Sequence, residues 1–407
     1  MALTNKLKFF NDPIYGFIGT PNELIFNLIE HSHFQRLRRI SQMGMSFLVY
    51  PGAHHTRFHH ALGSMHLMTK AIEILRRKGI EITEEEEMGL LCAILLHDIG
   101  HGPFSHALEG SLVEGLTHEQ ISLEFMKELN EHFGGRLQTG ISIFKGEYAK
   151  PFLNQLVSSQ LDMDRLDYLK RDSFYAGVTE GNINSERLIS MLNVVDGDLV
   201  VEEKGIYAIE KFLMARRFMY WQVYLHKTGL MAEQLLIRIV QRVRTLLGNN
   251  VSIQGSEPLI FFLKQEKPLA ASSKFLEKFA QLDDVDILGA IKSWQHHEDF
   301  ILSRLCQMLL NRKLLKIKIK KGPIDSEWLK HRLDACMKRK GLTEEEAGYF
   351  VFHGEITNKT YNQNQQIKIL KKSGKVTDVL KESDQFSSKA LSQTVTKYFS
   401  CYPKNAV

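Results

Sequence analysis

The feature that most constrains this chain is an apolar segment of helical length that ends on two polar residues. The apolar residues between Met88 and Leu96 surround the whole circumference of a helix, which predicts a helix buried on all sides. His97 and Asp98 follow directly, and the glycines and proline of residues 100–103 interrupt the helix there. A charged carboxylate at the end of a buried helix requires a partner, and a divalent metal ion is a suitable one.

Histidines concentrate around this point. The chain has 17 histidines, and many of them lie between positions 54 and 118. His60 and Asp164 would add an imidazole and a carboxylate to the His97-Asp98 pair, and this mixed set suits Mn, Fe, Zn, Co or Mg. A single His-Asp pair is more often an ordinary surface or core pair. The glycine interruption, the buried helix and the further histidines favour a metal site here.

Two stripes of polar and aromatic residues recur at helical spacing: Asp164, Tyr168 and Asp172 on one predicted helix, and Arg216, Tyr220 and Tyr224 on another. Each stripe is either a solvated surface or the wall of a polar pocket. In a pocket, Arg216 would hold a phosphate chain, and Tyr224 would pack against a base or sugar. Spacing alone leaves both interpretations open.

The pattern of apolar residues predicts a mainly α fold with a smaller C-terminal α+β region. Helical spacing prevails from about residue 21 to residue 248, with a helix start at Thr117, a hairpin at Asp196-Gly197 and one long helix over 208–247. Strands are predicted at 315–320 and 349–356, and a hairpin over 366–380. We therefore expect a catalytic region over 1–250, with its core at about 50–180, and a C-terminal region over 251–407.

Composition excludes several classes of protein. The 52 basic and 47 acidic residues leave a net charge of +5, which does not by itself indicate nucleic-acid binding. The four cysteines are far apart and are predicted to be free thiols of a reducing compartment. The start of the chain lacks the apolar core of a signal peptide, and residues 90–96 are too few to span a bilayer. A cytoplasmic protein without a membrane partner is expected.

Several phrases resemble the HD-domain deoxynucleoside triphosphate triphosphohydrolases, a family that includes the bacterial dGTPases and vertebrate enzymes with fused SAM and HD domains. The resemblance is carried mainly by residues 8–227 and fades in the last third. The phrases are Asn-Asp-Pro-Ile-Tyr-Gly (11–16), Phe-Gln-Arg-Leu-Arg (34–38), Arg-Phe-His-His (57–60), Leu-Leu-His-Asp-Ile-Gly-His-Gly-Pro-Phe-Ser-His (95–106), Thr-His-Glu-Gln (117–120) and Asp-Arg-Leu-Asp-Tyr (164–168).

The resemblance implies an HD-domain helical core and a role for each residue of the site. It implies metal ligation by His60, His97, Asp98 and Asp164. It implies an α-phosphate surrounded by His101, His106, Glu109 and His118, with Glu119 beside them. It implies a triphosphate held by Arg57, Arg165 and Arg216, a sugar contacted by Tyr168, Asp172 and Gln42, and a base near Tyr224. In this family a glutamine and an aspartate read the 3′-hydroxyl, and packing at the 2′-carbon excludes ribose.

The chemistry implied is hydrolysis of a dNTP to a deoxynucleoside and inorganic triphosphate. The metal lowers the pKa of water and polarises a phosphoryl oxygen, and water attacks the α-phosphorus. Arginines and protonated imidazoles stabilise the phosphate charge. His106, oriented by Glu109, is the predicted proton donor to the leaving 5′-oxygen.

The resemblance also implies regulation by an activating dNTP or GTP. In the vertebrate relatives a nucleotide binds between subunits at positions that match Asn11, Gln35, Arg38, Arg187 and Lys204. Glu30 stands here in place of an aspartate that reads guanine, and Glu202 in place of a basic residue, so the activating base stays open. A site shared between subunits requires association, and we expect a homo-oligomer, a dimer or a tetramer. The ordinary alternative is that residues 34–40 are only core and surface.

Other classes of function remain as alternatives. An HD phosphodiesterase or nucleotidase would use the same ligands, but Arg57, Arg165 and Arg216 argue against it. The basic segment 312–321 would suit a single-stranded nucleic-acid-binding nuclease, although such a strand is more often solvated on one face. A catalytically dead scaffold is disfavoured because every expected ligand is present. Walker A, dinucleotide-binding and GxSxG motifs are absent from the sequence.

Overall fold

The computed structural model describes residues 8–265, 272–358, 361–362, 364–384 and 394–404, and gives only the backbone of His106 and Lys340. Helices dominate, which confirms the predicted mainly α fold with a C-terminal α+β region. The α-helices are α1 Glu23–Glu30, α2 Ser32–Gln35, α3 Arg57–Arg77, α4 Glu84–Leu96, α5 Ser105–Leu108, α6 His118–His132, α7 Gln138–Lys145, α8 Pro151–Val157, α9 Met163–Ala176, α10 Ser185–Ser190, α11 Ile206–Phe218, α12 Lys227–Gly248, α13 Glu257–Leu263, α14 Ser273–Ala280, α15 Asp284–Trp294, α16 Phe300–Leu310, α17 Ser326–Lys340, α18 Glu344–Gly348 and α19 Val379–Glu382.

The strands form three small sheets within the described residues. They are β1 Phe9–Asp12, β2 Gly16–Gly19, β3 Leu192–Val195, β4 Asp198–Glu202, β5 Lys316–Lys320, β6 Phe352–Asn358, β7 Lys368–Leu370, β8 Val376–Asp378 and β9 Val395–Tyr402. The sheet orders are β1-β2, β3-β4-β7-β8 and β5-β9-β6. Because β4 pairs in parallel with β7, the C-terminal hairpin extends a sheet of the central region. The predicted domain boundary near residue 250 stays a prediction.

The centre of the molecule is helix α3, which packs against both α4 and α9. Gly63 of α3 permits the close contact with α9, because a Cβ there would lie 2.0 Å from Oδ1 of Asp167. Helix α4 is capped by Thr83, which accepts a hydrogen bond from the backbone of Glu86, and its last seven residues are all buried. The predicted buried helix that precedes His97 is therefore confirmed.

The chain reverses after α4 through glycine positions that bring α6 against the end of α4. A Cβ on Gly100 would lie 2.3 Å from the carbonyl oxygen of His118 and 2.3 Å from the amide nitrogen of Ser122. Only glycine tolerates this contact without a shift of the backbone. Ser122 joins the two segments, since its hydroxyl accepts from Gly100 N at 2.9 Å and donates to His97 O at 2.8 Å. The start of α6 is thereby placed beside His97.

Most of the predicted local elements are confirmed. Thr117 caps α6, and the hairpin between β3 and β4 turns at Asp196 and Gly197 with φ values of 52° and 81°. Strand β5 and the β7–β8 hairpin also lie where the sequence predicts them.

The single long helix predicted over 208–247 is wrong. Helix α11 ends at Phe218, a π-helical turn follows over Met219–Tyr224, and α12 begins at Lys227. The Nδ1 atom of His226 accepts a hydrogen bond from Thr228 N and so caps a new helix. Apolar spacing continues across this interruption, which is why periodicity did not reveal it.

The strand predicted over 349–356 begins later than expected. A capping box between Thr343 and Glu346 starts α18, and residues 349–351 complete the turn after that helix. The strand β6 therefore runs over Phe352–Asn358. Among the described residues, none of the helices has the length and apolar character needed to cross a lipid bilayer.

Candidate functional site

Four side chains predicted as metal ligands meet where α3, α4 and α9 converge, and we call them the HD cluster: His60, His97, Asp98 and Asp164. The ligand atoms of His60, His97 and Asp164 all lie within 4.8 Å of one another. Oδ1 of Asp164 lies 3.0 Å from Nε2 of His60 and 3.5 Å from Nε2 of His97. The carboxylate of Asp98 lies 3.4 Å from Nε2 of His97 and 3.8 Å from Nε2 of His60.

The hydrogen bonds of the two imidazoles fit a metal ion. Nδ1 of His60 lies 2.8 Å from Asp167, and Nδ1 of His97 lies 2.6 Å from the carbonyl oxygen of Ile94. Both Nδ1 atoms therefore act as donors, so that each Nε2 can offer a lone pair to a metal ion once it has lost its proton. The two Nε2 atoms are 3.3 Å apart. At this distance the two nitrogens need a cation between them, which is either a proton or a metal ion.

Charge around the HD cluster also favours a cation. Burial alone would lower the pKa of His60, but hydrogen bonds to Asp164 and Asp167 raise it to about 10. Burial would raise the pKa of Asp164, yet His60 and His97 hold it far below its usual range. The carboxylates thus stabilise positive charge at the two imidazoles. The mixed set of nitrogen and oxygen donors does not select one ion.

Asp98 connects the HD cluster to further polar groups. Arg57 donates a hydrogen bond to Asp98, and Nε2 of His101 lies 3.2 Å from Oδ1 of the same carboxylate. Burial, followed by the charge of Arg57, holds the pKa of His101 well below its usual value, which keeps this imidazole neutral. Its ring stacks on that of His118 with centroids 3.9 Å apart.

Glu109 pairs with His118, whereas the sequence analysis predicted that Glu109 orients His106. Oε1 of Glu109 accepts from Nδ1 of His118 at 2.8 Å and from its amide nitrogen at 3.0 Å. This contact lowers the pKa of Glu109 to about 2. Burial opposes protonation of His118, but Glu109 raises its pKa overall. The side chain of His106 lies outside the described residues, so its assignment stays a prediction.

A cavity of about 380 Å³ opens from the HD cluster. It brings together most of the residues that the sequence assigned to substrate binding, and its lining is Gln42, Met43, Ser46, Arg57, Asp98, His101, His118, Asp164, Arg165, Tyr168, Asp172, Tyr220, Tyr224, Leu225 and Glu233. Glu119 is exposed on the first turn of α6 and is not part of this lining. Its predicted place beside the α-phosphate therefore has no support in the geometry.

Of the arginines predicted to hold the triphosphate, Arg165 lines the cavity and Arg216 does not. Nε of Arg165 donates to the carbonyl oxygen of Ser159 at 2.7 Å and lies 3.3 Å from Asp162, so this guanidinium is oriented at the cavity wall. Arg216 is half-buried near Tyr168 and is not part of the lining. Among the described residues, its buried Nη1 atom has no hydrogen-bond partner.

Asp172 is held by two residues from other parts of the chain. His55 lies 2.7 Å from its Oδ1 atom, and the hydroxyl of Tyr224 donates to its Oδ2 atom at 2.8 Å. Sequence reasoning missed His55, although it lies in the histidine-rich segment, because its partner is 117 residues away. Asp167 was also missed as a partner of His60, and Glu233 as a residue of the cavity.

Three of the residues predicted to bind an activating nucleotide lie near opposite ends of α3. Gln35 accepts from Nε of Arg38, whose guanidinium lies 3.6 Å from the ring centre of Phe58, close to the cavity end of α3. Arg187 belongs to α10, whose Glu186 pairs with Lys70 on α3. Positions 58 and 70 are about 18 Å apart along the helix at 1.5 Å per residue. The contacts of Arg38 and those of α10 therefore lie several turns apart on α3.

The two acidic residues that depart from the family pattern have lysine partners in this chain. Glu30 pairs with Lys8 at 2.7 Å, and Glu202 pairs with Lys78 at 2.7 Å. Asn11 lies on β1 opposite Phe17, and Lys204 lies in a short 3-10 turn after β4. Nucleotide activation stays a prediction.

Comparison with known proteins places the HD cluster within a matched domain. A family model described as an HD domain matches residues 57–171, and one described as an HD associated region matches residues 183–252. The chain is 35% identical over 316 residues to the uncharacterized protein YwfO of Bacillus subtilis, with 76% of this chain and 71% of that protein covered. A crystal structure of a phosphohydrolase from Bacteroides thetaiotaomicron is similar with a TM-score of 0.94 and 47% identity, over 98% of this chain and 100% of that chain.

More distant relatives carry a named activity. The chain is 32% identical over 249 residues to a Dictyostelium discoideum protein named deoxynucleoside triphosphate triphosphohydrolase SAMHD1 homolog, with 56% of this chain and 48% of that protein covered. It thus spans about half the length of that relative. These findings confirm the resemblance read from the sequence. The chain belongs to the family of HD-domain phosphohydrolases, in which it is similar to the deoxynucleoside triphosphate triphosphohydrolases.

Proposed function

We propose that this protein is a metal-dependent dNTP triphosphohydrolase that releases a deoxynucleoside and inorganic triphosphate. The observation that carries the proposal is the composition of one cavity. It joins the HD cluster at one end to the cationic groups Arg57 and Arg165 and to the pair formed by Asp172 and Tyr224. A phosphate chain matches the cations, and a sugar hydroxyl matches the aspartate.

The HD cluster would hold the divalent ion through His60, His97, Asp98 and Asp164. When bound, such an ion polarises a phosphoryl oxygen and makes water more acidic. His60 and His97 would bind the ion as neutral imidazoles, and both rings are already oriented by Asp167 and the Ile94 carbonyl. The protein therefore does not need to reorganise these two ligands when the ion binds.

The remaining residues stabilise charge at the α-phosphate and complete the proton transfer. Arg57 and Arg165 face the cavity as cations, and Glu109 raises the pKa of His118, which favours its protonated form. The lowered pKa of His101 keeps its imidazole neutral, so this ring does not add a positive charge to the site. Water attacks the α-phosphorus, the bond to the 5′-oxygen breaks, and we assign the proton of the leaving oxygen to His106.

The sugar would lie between Tyr168 and the Asp172–Tyr224 pair. Asp172 has one oxygen near His55 and the other near Tyr224, so a 3′-hydroxyl would join an existing hydrogen-bond network. Gln42 lines the same cavity, and its side-chain NH₂ group can donate to the oxygen of this hydroxyl while Asp172 accepts the hydroxyl proton. Relatives that are named deoxynucleoside triphosphate triphosphohydrolases, at about 30% identity, support a deoxynucleotide as the substrate.

A substrate panel tests the proposal against its alternatives. Metal-loaded protein is incubated with each dNTP, each dNMP, bis(4-nitrophenyl) phosphate and single-stranded DNA, and the products are resolved chromatographically. We expect turnover of dNTPs only. Hydrolysis of the monophosphates or of the diester in preference to dNTPs would indicate a nucleotidase or phosphodiesterase, and degradation of DNA would indicate a nuclease. Activity that appears only in mixtures of dNTPs would support an activating nucleotide and an oligomer.

A further inference from the structure

The loop that joins the HD cluster to helix α5 is held by a residue from outside the segments that the two family models match. Asp284 is the first residue of α15, and its side chain is buried. Its Oδ1 atom accepts a hydrogen bond from the amide nitrogen of Phe104 at 3.0 Å, and its Oδ2 atom accepts from the amide nitrogen of Ser41 at 2.8 Å. One carboxylate therefore joins two distant segments of the chain.

The backbone of Phe104 needs such a contact because it is left-handed, with a φ of 44° and a ψ of 45°. A bulky residue rarely adopts this conformation, which persists only where the surrounding structure holds it. Phe104 also begins α5, since its carbonyl oxygen accepts from the amide nitrogens of Ala107 and Leu108. The conformation of Phe104 therefore determines the direction in which α5 leaves the loop.

The other partner of Asp284 is attached to the start of α3. Ser41 forms a β-bridge with Thr56, which is the N-cap residue of α3. Beside this bridge, the amide nitrogen of Arg57 donates to the carbonyl oxygen of Ile40 at 2.9 Å. Asp284 therefore fixes the position of α5 relative to the helix that supplies the first residue of the HD cluster.

A second buried side chain attaches the same loop to the same part of the chain. The guanidinium of Arg36 donates to the carbonyl oxygens of Ile99 at 2.8 Å, His101 at 2.9 Å and Leu282 at 3.1 Å. Leu282 lies two residues before Asp284 in the chain. The start of α15 thus holds the loop near its beginning through Arg36 and at its end through Asp284.

We propose, on the basis of the proposed function, that Asp284 is a positioning residue for proton transfer to the leaving 5′-oxygen. It would act through His106, the second residue of α5 and the predicted proton donor. A general acid contributes only when it lies within hydrogen-bond reach of the atom that it protonates, so a change in the direction of α5 reduces the transfer. The HD cluster is supplied by α3, α4 and α9, so metal affinity should not depend on Asp284.

The substitution Asp284→Asn tests this proposal with little change in shape. The amide replaces one acceptor oxygen with a donor, so one of the two backbone N–H groups loses its hydrogen bond. Loss of a hydrogen bond to a charged group corresponds to roughly tenfold to a hundredfold, which is the fall that we expect in kcat for a dNTP. The matched control is Asp283→Asn. Asp283 is a similarly buried neighbour that caps α15 and pairs with Arg39, and asparagine caps a helix as well as aspartate does.

A second substrate separates positioning from a general loss of structure. It is a dNTP analogue in which sulfur replaces the 5′-oxygen, so that water attacks the α-phosphorus, the phosphorus–sulfur bond breaks and the sulfur leaves with the electron pair. A thiolate leaves without a proton, because a thiol is far more acidic than an alcohol. We expect Asp284→Asn to hydrolyse this analogue at nearly the rate of the unmodified protein. His106→Ala should do the same, although its kcat for the dNTP should fall roughly a hundredfold to ten-thousandfold. Asp283→Asn should be unchanged with both substrates.

Both rates are measured on one metal-loaded preparation of each variant, so that their ratio does not depend on the fraction of folded protein. Asp284→Ser, which keeps an acceptor oxygen in a smaller side chain, is measured in parallel and should show the same pattern. Equal losses with the two substrates in the Asp284 variants, or no loss with either, would overturn the positioning role.

The outcomes also separate this proposal from the proposed function. Equal losses with the two substrates in His106→Ala would overturn His106 as the donor and the role of Asp284 with it, while release of deoxynucleoside and triphosphate by the unmodified protein would still uphold the proposed reaction. Failure of the unmodified protein to release these products would overturn the proposed function itself, and the role of Asp284 with it.

Discussion

At the residue scale, the HD cluster depends on residues that orient its imidazoles from behind. His60 lies between Asp164 on its Nε2 side and Asp167 on its Nδ1 side. Asp167 also accepts from Arg171, which in turn pairs with Asp12 at 2.7 Å. All three supporting side chains are buried. The orientation of the ligand is therefore determined by a buried network that extends to β1.

Replacing Asp167 tests this support. In Asp167→Asn the side chain keeps its shape but accepts less strongly from His60, so we expect metal affinity to fall roughly tenfold to a hundredfold. Calorimetric titration of metal-free protein with Zn²⁺ or Mn²⁺ measures the change. Asp12→Asn is the control, because it removes the other partner of Arg171 and leaves His60 untouched. Equal losses in the two variants would assign the effect to Arg171 rather than to orientation of His60.

The Glu109–His118 pair leads to a prediction about pH. Because Glu109 raises the pKa of His118, the protonated imidazole is present below that raised pKa and is lost as the pH rises through it. In Glu109→Gln the pKa of His118 should be lower, so activity should decline from a lower pH on the alkaline side. The pH dependence of kcat measures this change.

The control for the pH experiment is Glu124→Gln. Glu124 lies on α6, as His118 does, and among the described residues it pairs only with the exposed Lys127. Its alkaline limb should coincide with that of the unmodified protein. An unchanged alkaline limb in Glu109→Gln would show that His118 does not have to be protonated for turnover.

At the element scale, the site depends on how closely α6 approaches the end of α4. Gly100→Ala should destabilise the protein by about 1–3 kcal/mol, because the added Cβ lies 2.3 Å from backbone atoms of α6 that have no space to move. Activity should also fall, since a shift of α6 displaces His118. Urea unfolding monitored by circular dichroism gives the free energy of unfolding.

The control substitution is Gly289→Ala in the interior of α15. A Cβ at Gly289 meets nothing within 4 Å, so alanine should be neutral or stabilise the helix by up to about 1 kcal/mol. Equal stability of Gly100→Ala and the unmodified protein would contradict the importance of the close contact.

Local patterns determine which elements the sequence predicts well. The buried helix α4, the cap at Thr117 and the turn at Asp196-Gly197 depend on neighbouring residues, and periodicity and turn chemistry predicted all three. The interruption at His226 was not predicted, because apolar spacing continues across it. That interruption matters for the site, since the π-helical turn before it carries Tyr220 and Tyr224, both of which line the cavity.

At the scale of the whole molecule, the contacts that the sequence could not predict join distant segments. His55 meets Asp172, strand β4 pairs with β7, and Glu233 reaches the cavity from α12. No local pattern specifies such partners, because each depends on the final packing of helices. The motifs around His97 predicted which chemical groups the site contains. Packing determines which of them face the cavity, and Glu119 is the example of a residue that does not.

The most direct test of the central claim is hydrolysis of a dNTP in H₂¹⁸O by metal-loaded protein, followed by mass spectrometry of both products. Attack at the α-phosphorus with cleavage of the bond to the 5′-oxygen predicts one ¹⁸O atom in the inorganic triphosphate and none in the deoxynucleoside. A labelled deoxynucleoside would indicate attack at carbon. Release of a deoxynucleoside monophosphate and pyrophosphate would contradict the proposed reaction.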